Sequence, residues 1–151
     1  MSYARFRPMQ QKEDICIFTR EGEKSKYNPQ MVKRDKPIKS GGMGKSDSAM
    51  TKTYTPLNKT YDYKNPVTLI QFDKVRKGSL HPTQKPVALL EYLIKTYSNE
   101  GDVVLDFTMG SGSTGVAAKN LDRKFIGIEM DEGYFDIAKN RIDNHIVEGK
   151  A

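Results

Sequence analysis

The stretch VVLDFTMGSGSTGVAAKN, residues 103–120, decides the fold. Val103, Val104 and Leu105 make a short apolar run, as in a strand buried on both faces. Gly110, Gly112 and Gly115 follow, and STGVAAKNL reads as a helix opening at the glycine turn. Strand, glycine turn and helix let a backbone pass close to a nucleotide-like ligand. Upstream, HPTQKPVALLEYLIKTYSNEGD (81–102) contains a helix. Pro86 suits its first turn, and Leu89, Leu90, Leu93, Ile94 and Tyr97 recur at helical spacing. Downstream, KFIGIEM reads as another buried strand and EGYFDIAKNRIDNHI as another amphipathic helix. From residue 86 the order is helix, strand, helix, strand, helix, which predicts an α/β fold with a parallel sheet.

The N-terminal side differs. EDICIFTR (13–20) reads as a strand centred on Ile15, Cys16, Ile17 and Phe18, and VTLIQFDKV (67–75) as a second. Residues 21–66 are rich in Lys, Ser, Gly, Thr, Pro and Tyr without an apolar period, so a long irregular insertion is expected there. Tyr27, Tyr54, Tyr61 and Tyr63 lie among lysines. That mix stacks on bases while cations meet phosphates, or simply fills a loop. No internal repeat is visible.

Charge is unevenly placed. Residues 1–80 carry a net +9 and residues 81–151 a net −3, within a total of +6. A basic first half suits a polyanion such as nucleic acid, and a solvated lysine-rich loop accounts for it equally well. The 151 residues suffice for one core. No apolar run approaches the ~20 residues that span a bilayer, and the first residues lack the apolar core of a signal peptide. One cysteine, Cys16, makes no internal disulfide and is expected to be a buried structural thiol in a reducing cytoplasm. Two histidines without clustered ligand spacing argue against a metal site. KSGGMGKS (39–46) lacks the first glycine of a phosphate loop and reads as a flexible loop. His145 is expected to be structural or exposed, and Tyr134 and Phe135 to pack in the core.

Gly110, Gly112 and Gly115 fit G-x-G-x-x-G, and Glu129 follows 19 residues after Gly110. Alone this is a dinucleotide fingerprint. Two details oppose it. DFTMG separates the strand from the turn, and Asp106 places a negative charge where a pyrophosphate would sit. A carboxylate there suits a cationic ligand. S-adenosylmethionine carries an ammonium, a sulfonium and a ribose with two hydroxyls, so Asp106 near its amino-acid end and Glu129 on its ribose make chemical sense. The HPTQKP segment (81–86) supplies polar groups able to close over it.

With these residues in place, HPTQKP, VVLDFTMGSGSTG and FIGIEMDEGY together resemble the C-terminal half of the β-class amino-methylating DNA methyltransferases, which modify adenine N6 or cytosine N4. The resemblance is strong over 80–143 and weak over 20–75. It implies a partial Rossmann-like methyltransferase fold with a loop-rich insertion. It divides the chain into a strand of the catalytic half (1–20), a basic target-recognition-like region (21–79) and an S-adenosylmethionine-binding subdomain (80–151). The implied cofactor contacts are Thr83, Gln84, Lys85, Asp106, Thr108, Gly110, Ser111, Gly112, Ser113, Thr114 and Glu129. Met130 either flanks the adenine ring or packs in the core. Phe107 and Thr108 depart from the family's Pro-Phe pair, which removes an aromatic contact to the cofactor. The implied partner is double-stranded DNA, with adenine N6 as the target, in a phage or restriction–modification setting.

The family's catalytic motif is [Asp/Asn/Ser]-Pro-Pro-[Tyr/Phe/Trp], which orients the target amine and stacks on a flipped base. No Pro-Pro dipeptide occurs in these 151 residues, so no catalytic residue is assigned. The expectation is a remnant or one part of a split enzyme, inactive alone and completed by a separate chain carrying the catalytic half. The alternative is a non-enzymatic cofactor- or DNA-binding remnant. An open apolar edge at 103–106 is expected to make the protein marginally stable or partner-dependent.

Overall fold

The computed structural model describes residues 12–39, 59–75 and 77–147. Its elements are β1 (Val32–Lys39), β2 (Thr60–Lys64), α1 (Val87–Tyr97), β3 (Val103–Asp106), α2 (Ser113–Asn120), β4 (Lys124–Gly127) and α3 (Glu132–Asp143). From α1 onward this is the expected alternation.

β3 and β4 pair in parallel, from Val103 opposite Lys124 to Asp106 opposite Gly127. α2 makes the crossover between them. Its Ala117 and Ala118 are fully buried and, with Ile94 of α1, form the core against Val87, Leu90, Val104, Leu121 and Phe125. Small side chains here let the helices and sheet approach closely. Both glycines at the start of the crossover have positive φ. Gly110 is at 51° and Gly112, the N-cap of α2, at 76°, a region that side chains disfavour. α3 is capped by Asp131, whose carboxylate accepts the Tyr134 N–H at 2.9 Å.

The N-terminal side departs from expectation. Residues 13–20 form no strand, and Ile15, Ile17, Phe18 and Cys16 are exposed. The thiol is therefore not buried. Residues 67–75 also form no strand, with Val67 and Leu69 exposed. Apolar content favours a strand only where a neighbour accepts its hydrogen bonds, and neither segment has one among the described residues. Conversely, residues 21–66 are not wholly irregular, because β1 and β2 pair antiparallel there. The register shifts between Lys33 and Ile38, around Pro37, which has no N–H to give the ladder. Residues 40–46 of the glycine-rich run, and Tyr54, lie outside the described residues.

The segment before β1 is fastened to the end of α1. The Asn28 amide donates to the carbonyls of Lys95 (3.3 Å) and Ser98 (3.0 Å) and to Asn99 Oδ1 (3.1 Å). Its backbone N–H donates to Thr96 O at 2.7 Å. These bonds satisfy carbonyls that a helix end leaves open. Lys26 pairs with Asp102 at 2.6 Å, and the Tyr27 ring lies 6.1 Å from that of Tyr97. No described helix is long and apolar enough to cross a membrane.

Candidate functional site

The candidate site lies beyond the carboxyl ends of β3 and β4, where open α/β sheets place their ligands. A small cleft of about 90 Å³ opens there. Thr83, Gln84, Lys85, Asp106, Thr108, Gly110, Ser111, Ser113 and Thr114 line it, with His81, Leu90 and Met109. Nine of the twelve sequence-selected residues thus converge across 32 positions of chain.

Asp106 ends β3 and fixes the turn after it. Oδ1 accepts the Thr108 N–H at 3.1 Å, and Oδ2 accepts the Thr114 hydroxyl at 2.6 Å. Glu129 follows β4 and reaches back. Oε2 accepts the Gly110 N–H at 2.8 Å, while Oε1 accepts those of Met130 (3.0 Å) and Asp131 (3.1 Å). These bonds, led by the one from Asp131, hold the Glu129 carboxyl below its usual range, and the His81 charge adds a smaller pull. The glycine turn therefore carries a carboxylate on each flank.

The HPTQKP segment folds against this turn. The His81 ring lies where a Gly110 side chain would go, 3.3 Å from an added Cβ. Its Nδ1 lies 3.0 Å from the Thr83 hydroxyl, and its edge meets the Tyr134 ring, centroids 4.4 Å apart. Gln84 Oε1 accepts from Leu80 N (2.9 Å) and the Ser111 hydroxyl (3.1 Å), tying the segment to the turn. Lys85 pairs with Glu13 at 2.7 Å.

The remaining selected residues lie apart from the cleft walls. Gly112 faces α3, where an added Cβ would sit 3.0 Å from Ala138 Cβ. The Met130 side chain is 97% exposed, so it is not packed in the core. Phe107 is exposed, as is Phe135, against the expectation of a core position. Tyr134 instead meets the His81 ring edge-on. His145 Nε2 lies 2.6 Å from Asn120 Oδ1, a structural contact. Two partners were not selected from sequence: Asn28, and Arg141 of α3, which reaches the turn at Ser111 and Ser113. No local motif marks either residue, since each acts across a distance in the chain.

The family model described as DNA methylase, of the N6/N4 class, matches residues 1–140. The chain belongs to the N6/N4 DNA methylase family. The family is S-adenosylmethionine-dependent. The chain is 52% identical over 71 residues to type II methyltransferase M2.DpnII of Streptococcus pneumoniae, which covers 46% of this chain and 26% of that protein. It is 33% identical over 136 residues to type II methyltransferase M.HpaI of Haemophilus parainfluenzae, covering 87% of this chain and 38% of that protein. A solved structure, the M1.HpyAVI–SAM complex, is similar over 58% of this chain and 41% of that chain, at 46% identity and a TM-score of 0.43. The methylase chain thus spans well under half the length of these curated relatives.

Proposed function

We propose that the cleft beyond β3 holds S-adenosylmethionine, and that this chain supplies the cofactor-binding part of a site-specific DNA amino-methyltransferase. The observation that carries this reading is the pair of carboxylates, Asp106 and Glu129, flanking the glycine turn. Asp106 repels the pyrophosphate of a dinucleotide, and the two acids together suit a ligand with cationic groups and a ribose diol. In this reading Asp106 and Thr108 face the amino-acid end. Gly110, Ser111, Gly112, Ser113 and Thr114 form the turn that the ligand crosses. Thr83, Gln84 and Lys85 close over it, Glu129 takes the ribose hydroxyls, and Met130 flanks the adenine. Glu129 has room for this, because three N–H donors leave part of a carboxylate's acceptor capacity free.

The transfer itself needs no covalent enzyme intermediate. Bound in the cleft, the cofactor would supply its methyl group to a neutral exocyclic amine, the sulfonium becoming a thioether and the amine losing a proton. We assign adenine N6 as the target on family resemblance alone. Duplex DNA as the partner is supported by the exposed β1–β2 pair, with Lys33, Arg34, Lys36, Lys39 and Lys64 beside Tyr61 and Tyr63. The division into 1–20, 21–79 and 80–151, and a cytoplasmic setting, belong to the same proposal.

No residue of this chain is assigned to catalysis, since it holds no Pro-Pro dipeptide. An exposed apolar sheet face at Val103, Leu105 and Ile126 supports a second polypeptide segment, carrying the catalytic motif, as its cover. The test is methyl incorporation from labelled S-adenosylmethionine into mixed-sequence duplex DNA, followed by nucleoside chromatography. The chain alone is expected to transfer nothing. With an Asp-Pro-Pro-Tyr-bearing partner it is expected to yield N6-methyladenine. Label recovered as N4-methylcytosine would overturn the target, and displacement of bound S-adenosylmethionine by NAD would overturn the cofactor.

A further inference from the structure

Arg141 lies in the last turns of α3, remote in sequence from the glycine turn, yet its Nη1 donates to Ser111 O and to Ser113 Oγ, both at 3.0 Å. It also reaches Ser111 Oγ at 3.4 Å. Both serines are buried, at 3% and 6% exposure. Among the described residues no carboxylate pairs with this guanidinium. An unpaired, partly buried cation is costly unless its donors are used. Here they are spent on a backbone carbonyl and on serine hydroxyls rather than on an acid.

That choice has a directional consequence. A hydroxyl that accepts from a guanidinium turns its own proton away from it. Ser111 gives its proton to Gln84 Oε1. Ser113 lines the cleft and stands at the first residue of α2. We infer that Arg141 is a positioning residue: it holds the Ser113 hydroxyl as a donor aimed into the cleft and, with its own charge behind, tunes the turn for the carboxylate of the cofactor's amino-acid end. This rests on the cofactor reading above. It adds a reason why an anionic group is accepted between two acids.

The test compares S-adenosylmethionine with 5′-methylthioadenosine, which keeps the adenosine, has a neutral thioether in place of the sulfonium, and lacks the amino-acid end. Affinities of both are measured calorimetrically for wild type, Arg141→Met, Ser113→Ala and the double variant. The preference for S-adenosylmethionine is expected to fall roughly tenfold in each single variant, with 5′-methylthioadenosine binding unchanged. The double variant is expected to lose little more, because both changes remove one unit. A purely structural Arg141 would weaken both ligands equally, and that result overturns the inference, as does an unchanged preference. If Arg141→Met fails to fold, Ser113→Ala decides alone, and an unchanged preference there overturns the inference. A folded wild type that binds neither ligand instead overturns the cofactor reading, and this assignment with it.

Discussion

Glu129 shows how a side chain serves structure before any ligand arrives. Its carboxylate gathers three backbone N–H groups and so joins the end of β4 to the glycine turn. Those bonds, first the one from Asp131 and then that from Gly110, favour the charged form. The folded group therefore titrates below the unfolded one. The stability it contributes is fully present above its ordinary value of 4.5 and is lost as pH falls through the lower, folded value. Glu129→Gln is expected to melt below wild type at neutral pH, with the gap closing under acid. A gap that stays constant with pH would contradict this. The acidic residue was legible because 19 positions separate it from Gly110 and the chemistry needs an acid on the next strand. Its engagement with backbone N–H groups was not legible, since that depends on how the turn folds. Arg141 and Asn28 were silent for the same reason: long side chains act where packing brings them.

Among the elements, the glycines of the crossover divide their labour. Gly110 makes room for the His81 ring, whereas Gly112 and Gly115 make room for α3. A Cβ on Gly115 would lie 2.8 Å from Phe125 Cε1 and would also meet Ile142. Gly115→Ala is expected to cost ~1–3 kcal/mol through overpacking, read by urea denaturation. An equally stable variant would mean that α3 yields freely. Asn28→Ala is expected to cost ~1–2 kcal/mol, because it opens carbonyls at the end of α1 and releases the segment before β1. An unchanged melting temperature would show that this fastening is incidental. Helix spacing and the glycine turn made α1 through α3 readable. The strands read at 13–20 and 67–75 failed because apolar content does not supply a partner, and β1 and β2 escaped notice because their residues face solvent on nearly every side.

At the scale of the molecule, the β3–β4 sheet is covered on one face only. Val104 and Phe125 turn inward, while Val103, Leu105 and Ile126 are more than half exposed. Parallel sheets are ordinarily buried on both faces, and apolar area left in water drives association. Sedimentation is expected to show concentration-dependent association of the chain, reduced by Leu105→Lys combined with Ile126→Lys without loss of helical signal. A monodisperse monomer at every concentration would contradict the need for a cover. The alternation of helix and strand told the class of fold, but a bare sheet face is a property of the assembled layers, not of any one segment. The cleft lies between these layers and the HPTQKP segment, and its most direct test is calorimetric titration of the chain with S-adenosylmethionine, with Glu129→Ala as control. Saturable binding that weakens in the variant is expected. A folded chain that takes up no cofactor, or that binds it equally well without the Glu129 carboxylate, would contradict the assignment of this cleft.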